Sequence, residues 1–345
     1  MKNQLQYLLL LITVVQFFTA SGQEPAFNFL HFTPHDGLSN DAVRGIAEDK
    51  YGFIWAGTNH GLNRIDGIHV KTYYHQDDDP KSLGSNFIRS LFSDSRGRIW
   101  VGSDPGLCYF DYPSGHFIHY KNADFNIQTI IEDGDGVIWM GTGKGLRYAD
   151  TINDQLIEVN VSDTTLKNLL SLSCRDLYLG KKNMYIATAQ GVIQLELKTK
   201  KWQLINAENG LLSNEDARAV TEDHDGNLWV ATGLTGSVLH RIDLRNNTSE
   251  SYTYFQKRMG HNIPNMIRKL KVDHEGRLWI GSTYLGVSLY SKSDKNFKSF
   301  IHDPVVPNSY SSELCNQIFQ DSKGIIWLGT EGSGLNYFNP EKALF

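Results

Sequence analysis

Residues 48–58 read EDKYGFIWAGT, and the same phrase returns at 93–103 (SDSRGRIWVGS), 132–142 (EDGDGVIWMGT), 222–232 (EDHDGNLWVAT), 272–282 (VDHEGRLWIGS) and 320–330 (QDSKGIIWLGT). Six tryptophans, Trp55, Trp100, Trp139, Trp229, Trp279 and Trp327, hold one position in it, and Trp202 lies outside the register. The interval from Trp139 to Trp229 is twice too long and contains LGKKNMYIAT (179–188), where Tyr185 takes the tryptophan position. Seven units result, spaced 45, 39, 46, 44, 50 and 48 residues apart. Self-similarity at such a period marks a repeat architecture in which each unit buries its face against the next.

Each unit reads as short strands separated by turn residues. In the second, 87–93 is a strand, Asp94-Ser95-Arg96-Gly97 a turn and 98–102 a strand rich in bulky apolar side chains. Ser103-Asp104-Pro105-Gly106 then turns the chain, 107–112 returns, and 117–121 closes the unit. Four strands per unit is the pattern of a propeller blade, so the expected fold is an all-β, seven-bladed β-propeller of four-stranded blades. Gly52, Gly97, Gly136, Gly226, Gly276 and Gly324 supply the positive φ of the repeated turn. Three residues earlier stand Asp49, Asp94, Asp133, Asp223, Asp273 and Asp321, placed to cap that turn rather than to form one active site. The first unit is preceded by FNFLHFT (27–33), which matches the outermost strand of other units, whereas the last unit ends at Phe345 without one. The amino-terminal strand is therefore expected to complete the seventh blade and remove an open edge.

Residues 1–22 read as a cleaved secretory signal peptide. Lys2 precedes an apolar run from Leu8 to Phe18, interrupted by Thr13 and Gln16 and followed by Ala20-Ser21-Gly22. The run is too short for the roughly 20 apolar residues that span a bilayer. No cysteine follows it, which argues against a lipoprotein, and a periplasmic mature chain, 23–345, without membrane contact of its own is expected. With 40% apolar and 12% aromatic residues the chain can build a core, which excludes disorder and collagen. A net charge of −5 gives no footprint for nucleic acid. Cys108, Cys174 and Cys315 are too few and too scattered for a disulfide framework and read as small buried side chains.

The repeated phrase, together with the linkers DGLSND (36–41) and DDDPKSLGSN (77–86), resembles the two-component regulator propeller repeat. That repeat builds the periplasmic sensor region of hybrid two-component systems in Bacteroidetes, which detect glycan fragments and switch on polysaccharide utilisation. The resemblance implies a sensor of oligosaccharides whose partners are the ligand, a second copy of the chain in a homodimer, or a downstream sensor-kinase portion. Family members carry twice as many blades, followed by an immunoglobulin-like domain, a membrane helix, a histidine kinase and a receiver. Asn339-Pro340-Glu341-Lys342 reads like a linker into a further blade, so the chain is expected to be either a truncated sensor or a stand-alone propeller.

No catalytic signature is found: there is neither a GxSxG elbow nor an HExxH helix. Gly141-Thr142-Gly143-Lys144-Gly145 imitates a phosphate loop, but a strand follows it instead of a helix. Asp223-His224-Asp225-Gly226-Asn227 and Asp77-Asp78-Asp79 suggest calcium, yet the first lacks a bidentate acid at the twelfth position. The sialidase Asp-box fails as well, since its acidic position holds Lys50, Ser95, Gly134, His224, His274 and Ser322. No cofactor, metal or enzymatic activity is expected. A propeller glycosidase or lyase, which needs paired carboxylates or a Tyr/His pair facing a cleft, and a protein-binding scaffold are the alternatives.

One column is chemically distinctive. Eleven residues before the tryptophan stand Arg44, Arg89, Arg218 and Arg268, with Gln128 and Asn316 in two other units and Arg175 nearby in the fourth. The position falls early on the innermost strand, so these arginines are expected at the mouth of the central channel, where bidentate hydrogen bonds would suit the carboxylate or sulfate of an acidic saccharide. The alternative is that each pairs with a nearby acid or covers apolar surface with its stem. The loops after the tryptophan strand border the same mouth and vary between units: Asn59-His60, Asp104-Pro105, Lys144, Gln190, Leu234-Thr235, Tyr284 and Glu331. Variable loops on a fixed scaffold carry specificity, and His60, Lys144 and Tyr284 join the arginines as candidate ligand contacts.

Overall fold

A computed structural model describes residues 27–67, 69–234, 236–253, 255–258, 261–292 and 295–342; the signal segment lies outside them. Seven four-stranded antiparallel sheets form the seven blades expected. Blade 1 consists of Val43–Glu48, Ile54–Thr58, Gly61–Ile65 and Val70–Tyr73, and blades 2 to 6 span 88–119, 127–158, 176–205, 217–253 and 267–300. The first strands of neighbouring blades contact one another and line the channel. Blade 7 takes Cys315–Gln320, Ile326–Thr330 and Leu335–Phe338 from the end of the chain and Leu30–Phe32 from its start, in the register Leu30↔Tyr337 and Phe32↔Leu335. Phe29, 2% exposed, anchors this closure among Phe300, Tyr310 and Phe338.

The repeated aspartate does more than cap its turn. In blade 2, Asp94 Oδ1 accepts the backbone N–H groups of Arg96 and Arg98, while Oδ2 accepts the indole N–H of Trp100 at 2.8 Å. The same indole bond joins Asp49 to Trp55, Asp133 to Trp139, Asp223 to Trp229, Asp273 to Trp279 and Asp321 to Trp327, at 2.7 to 2.9 Å. A buried indole N–H needs an acceptor, and the carboxylate that orders the turn provides one. The fourth unit shows the coupling by its exception. Tyr185 replaces the tryptophan, the turn over 180–183 is one residue shorter than its counterpart over 49–53, and Leu179 pairs with Met184 as Glu48 pairs with Ile54, so that Gly180 stands where the acid would be.

In five of the seven units a glycine two residues after the tryptophan position lets neighbouring blades approach closely, and Ala187 and Ala231 stand there in the other two. A Cβ on Gly102 would lie 2.7 Å from Ile127 Cγ2, and one on Gly141 2.6 Å from Cys174 Sγ, both on the next blade. Cys108, Cys174 and Cys315 are all buried and free, and two of them fill this inter-blade position.

Two features have no counterpart in the repeat pattern. The helix Thr164–Leu170 packs Leu166, Leu169 and Leu170 against blade 4, and its N-cap Asp163 also accepts the indole N–H of Trp202 at 2.9 Å. The out-of-register tryptophan thus opens the outermost strand of blade 4, Trp202–Ile205, and is tied to the inserted helix through Asp163. A hairpin, Phe255–Arg258 with His261–Pro264, follows the outermost strand of blade 5.

Candidate ligand site at one mouth of the channel

The arginine column coincides with a defect in strand pairing. In blade 1, Val43 faces Thr58 and Gly45 faces Gly57, so Arg44 falls at a shift of register. The same shift falls at Arg89, Gln128, Arg218, Arg268 and Asn316. A bulge leaves its extra residue out of the ladder and re-aims its side chain, here toward the channel mouth. Arg175 belongs to the same column. Cys174 before it packs on Gly141 as Ile127 packs on Gly102, and the missing residue in the turn over 180–183 accounts for its offset of ten instead of eleven. All seven column residues line one cavity of about 400 Å³, together with Asp176, Met266, Lys269 and Gln317.

Three carboxylates reach into the ring from the loops. Asp104 accepts from Arg89 Nε and Nη2 at 3.0 and 2.5 Å. Glu331 takes Arg44 Nη2 at 2.8 Å on one oxygen and Asn316 Nδ2 at 2.8 Å on the other. Asp216 is shared by Arg175 and Arg218. Burial pushes the Asp216 carboxyl up, but the two guanidiniums outweigh it and hold the group below the usual carboxylate range. Arg268 makes no ion pair among the described residues. It donates to Asn316 Oδ1 at 3.2 Å and Thr283 Oγ1 at 3.4 Å, and burial, reinforced by Arg44 and only partly offset by Glu331, disfavours its charge. The paired reading of the column therefore holds for Arg44, Arg89, Arg175 and Arg218 and fails for Arg268.

Below the ring, Lys269 reaches from blade 6 to Asp176 of blade 4, Nζ to Oδ1 2.7 Å, and narrows the channel. Beyond this pair a second cavity of about 550 Å³ opens, lined by Ile46, Leu91, Leu177, Val220, Leu270 and Ile318 among others. Lys269 and Gln317 border both. One end of the channel is thus cationic, and the other mixes those apolar side chains with Glu48, Glu222, His224 and Lys271.

His60, Lys144 and Tyr284 do not line the cationic cavity. His60 lies against Tyr74, ring centroids 5.6 Å apart, and Lys144 Nζ sits 5.4 Å from the Phe125 ring centroid. Tyr284 is 43% exposed. His60 and Tyr284 follow Asn59 and Thr283, which bond to Arg44 and Arg268. Asp104 and Glu331 hold one repeat position, four residues after the tryptophan, which Asn59 and Thr283 fill in two other units, and in each of these four blades that residue bonds the column residue fifteen before it; Asp216, two residues before Arg218, lies outside that register.

The two component regulator propeller model matches residues 37–60, 82–104, 122–144, 210–233 and 309–332, each running through the bulge residue to the tryptophan strand. Histidine kinase P4 of Formosa agariphila is 44% identical over 61 residues, which are 18% of this chain and 4% of that protein. The extracellular domain of the B. thetaiotaomicron hybrid two-component system BT3049 superposes with a TM-score of 0.71 at 24% identity, over 91% of this chain and 42% of that one. Virginiamycin B lyase of Staphylococcus aureus superposes at 0.66 and 13% identity, over 92% and 99%. The chain therefore spans a small part of its curated relative and under half of the two-component extracellular domain. At these identities the structural likenesses establish the fold, which sensors and an enzyme share.

Proposed function

Because the chain is built of two-component regulator propeller repeats, we propose that it is the exported, ligand-binding propeller of a sensor of that kind, taking an oligosaccharide at the arginine-lined mouth without turning it over. The observation that carries the reading is the convergence of seven equivalent column residues, one per blade and six of them at a bulge, on a single cavity of small-molecule size. A ring of side chains removed from strand pairing contributes little to the ladders that hold the blades, which favours a role in binding. The likeness to an extracellular two-component domain supports export, and none of the helices among the described residues is long and apolar enough to cross a membrane.

A binding role without chemistry also fits the acids around the mouth. Asp104, Asp216 and Glu331 are each committed to an arginine, so none is placed as a free acid or base toward a substrate. Signalling would follow if ligand favours one arrangement of two propeller-bearing protomers, a bias transmitted to a kinase portion. The test is thermal melting of the purified protein with neutral and acidic oligosaccharides, followed by assay for new reducing ends or unsaturated sugars. Ligand at a hundred times its Kd stabilises by about 2.7 kcal/mol. A saturable rise in Tm without sugar cleavage supports the proposal. Cleavage replaces it with an enzyme, and no shift with any saccharide moves the protein to the scaffold class.

A further inference from the structure

The ring is not electrically balanced, and the imbalance is local. Five guanidiniums face three carboxylates, while the deeper Lys269–Asp176 pair is neutral. Arg44 and Arg89 each have an acid of their own. The two surplus positive charges fall on neighbouring blades: one is shared by Arg175 and Arg218 around Asp216, and the other is Arg268. Arg268 and Arg218 are close enough for each to bear on the other's charge; of the acids, Glu331 acts on Arg268 from beyond Asn316, but its own hydrogen bonds go to Arg44 and Asn316. A surplus of this kind inside a chain of net charge −5 is the reverse of the surrounding field.

We infer that the mouth is an oxyanion site, in which a carboxylate or sulfate ester of the ligand sits between Arg218 and Arg268 and supplies the charge that the ring lacks. The inference rests on the sensor reading for the ligand being a saccharide; the oxyanion itself follows from the charge arrangement. Guanidinium groups offer paired N–H donors that match both oxyanions, and partial burial strengthens them by excluding water. Arg268 is the discriminating residue because its guanidinium meets only neutral acceptors, Asn316 and Thr283, in the free protein. Arg245, which pairs with Asp243 at the turn between the two outer strands of blade 5 and lies outside the cavity, is the internal control.

Isothermal titration calorimetry with an oligogalacturonate, a sulfated disaccharide, a neutral oligosaccharide of equal length and citrate tests this directly. One or both acidic saccharides should bind at least tenfold more tightly than the neutral one, with affinity falling as salt rises, and the tighter of the two identifies the oxyanion. Arg268→Gln should weaken that binding about ten- to hundredfold, as expected for lost charge-assisted hydrogen bonds. Arg218→Gln, which leaves Asp216 its bond to Arg175, should weaken it similarly, whereas Arg245→Gln should change it less than threefold. Arg268→Gln should also melt no lower than the parent, because it removes a half-buried cation that has no acid partner. Unchanged affinity in both the Arg268 and Arg218 variants overturns the inference, as does failure of every charged probe to bind. Binding of the neutral sugar that ignores Arg268 overturns it too, while leaving the sensor reading intact. Arg268-dependent binding of citrate with no saccharide bound upholds the oxyanion site and defeats the saccharide reading.

Discussion

Asp94 and Trp100 form the best-defined test of what holds a blade together. Asp94 is 5% exposed; one oxygen orders the turn through two backbone N–H groups, and the other receives Trp100 Nε1 at 2.8 Å and Arg98 Nε at 2.6 Å. In Asp94→Asn the carbonyl can keep the two backbone bonds, but the amide then turns N–H groups toward two other donors. Hydrogen bonds to a charged group contribute about 1.5–3 kcal/mol, so losing the indole bond and weakening the Arg98 contact should cost about 3 kcal/mol. Unfolding entropy of about 2.1 cal/mol/K per residue, over roughly 320 residues, converts this to a fall in Tm of about 4–5 °C. Trp100→Phe deletes the donor and part of a fully buried ring, for about 2–3 kcal/mol. The decisive quantity is the coupling. With the indole N–H gone, Asp94→Asn should cost about 1.5 kcal/mol less than it does in the parent, as expected for residues in direct contact. The assay is urea unfolding followed by circular dichroism, which does not depend on the tryptophan being replaced. Additivity of the two substitutions to within about 0.5 kcal/mol would falsify the claim that the carboxylate and the indole act as one unit.

Three further outcomes follow from the fold. Gly102→Ala brings a methyl group to 2.7 Å from Ile127 Cγ2, and the overpacking between blades 2 and 3 should cost about 1–3 kcal/mol in urea unfolding; Ala187→Gly, at the same repeat position in the fourth unit, should produce no comparable clash. His240 is fully buried among Ser213, Thr232 and Ser251, and burial pulls its pKa down from 6.5 to about 4. Its neutral form contributes stability in full above pH 6.5; as pH falls toward 4 the unfolded chain takes up a proton that the fold refuses, removing about 3 kcal/mol, and His240→Asn should flatten that part of the stability profile. Burial pushes the Cys108 and Cys315 thiols up to about 12 and raises that of Cys174 as well, so iodoacetamide at pH 8 should leave the native protein unlabelled and modify three thiols after unfolding.

The blades were legible because their information is repeated: Trp55 and its equivalents, the turn glycines and the closing FNFLHFT strand locate seven sheets without reference to any contact. What occurs once was not. The helix Thr164–Leu170 and the hairpin after blade 5 sit in inter-unit stretches where no second copy exists for comparison. The indole–carboxylate bond was within reach, since the fourth unit lacks both partners together, but alignment displays columns one at a time and a bond is a relation between two. Arg175 looked displaced because counting from the tryptophan runs across a turn whose length varies, whereas counting from the inter-blade contact at Cys174 does not. The contact between Arg89 and Asp104 was within reach too, since Asn59, Thr283 and Glu331 stand at the same distance from their own column residues, but the bond of Glu331 to Arg44 crosses between blades and Asp216 falls outside the register, so three-dimensional placement is needed to show that Arg268 is left over.

The seam of blade 7 has a consequence for the order in which this protein can come into being. Leu30 and Tyr337 are neighbours in space, yet nearly the whole chain is synthesised between them. Six blades can form as the polypeptide emerges, each against the one before, while the earliest segment waits with Phe29 uncovered. Joining ends so distant carries an entropic cost that grows only slowly with the length between them, so delay is a greater burden than thermodynamics. Until Leu335–Phe338 arrives, the nascent chain has one unpaired strand seeking a partner at each end, and two unfinished molecules satisfy those needs mutually as readily as one finished molecule does alone.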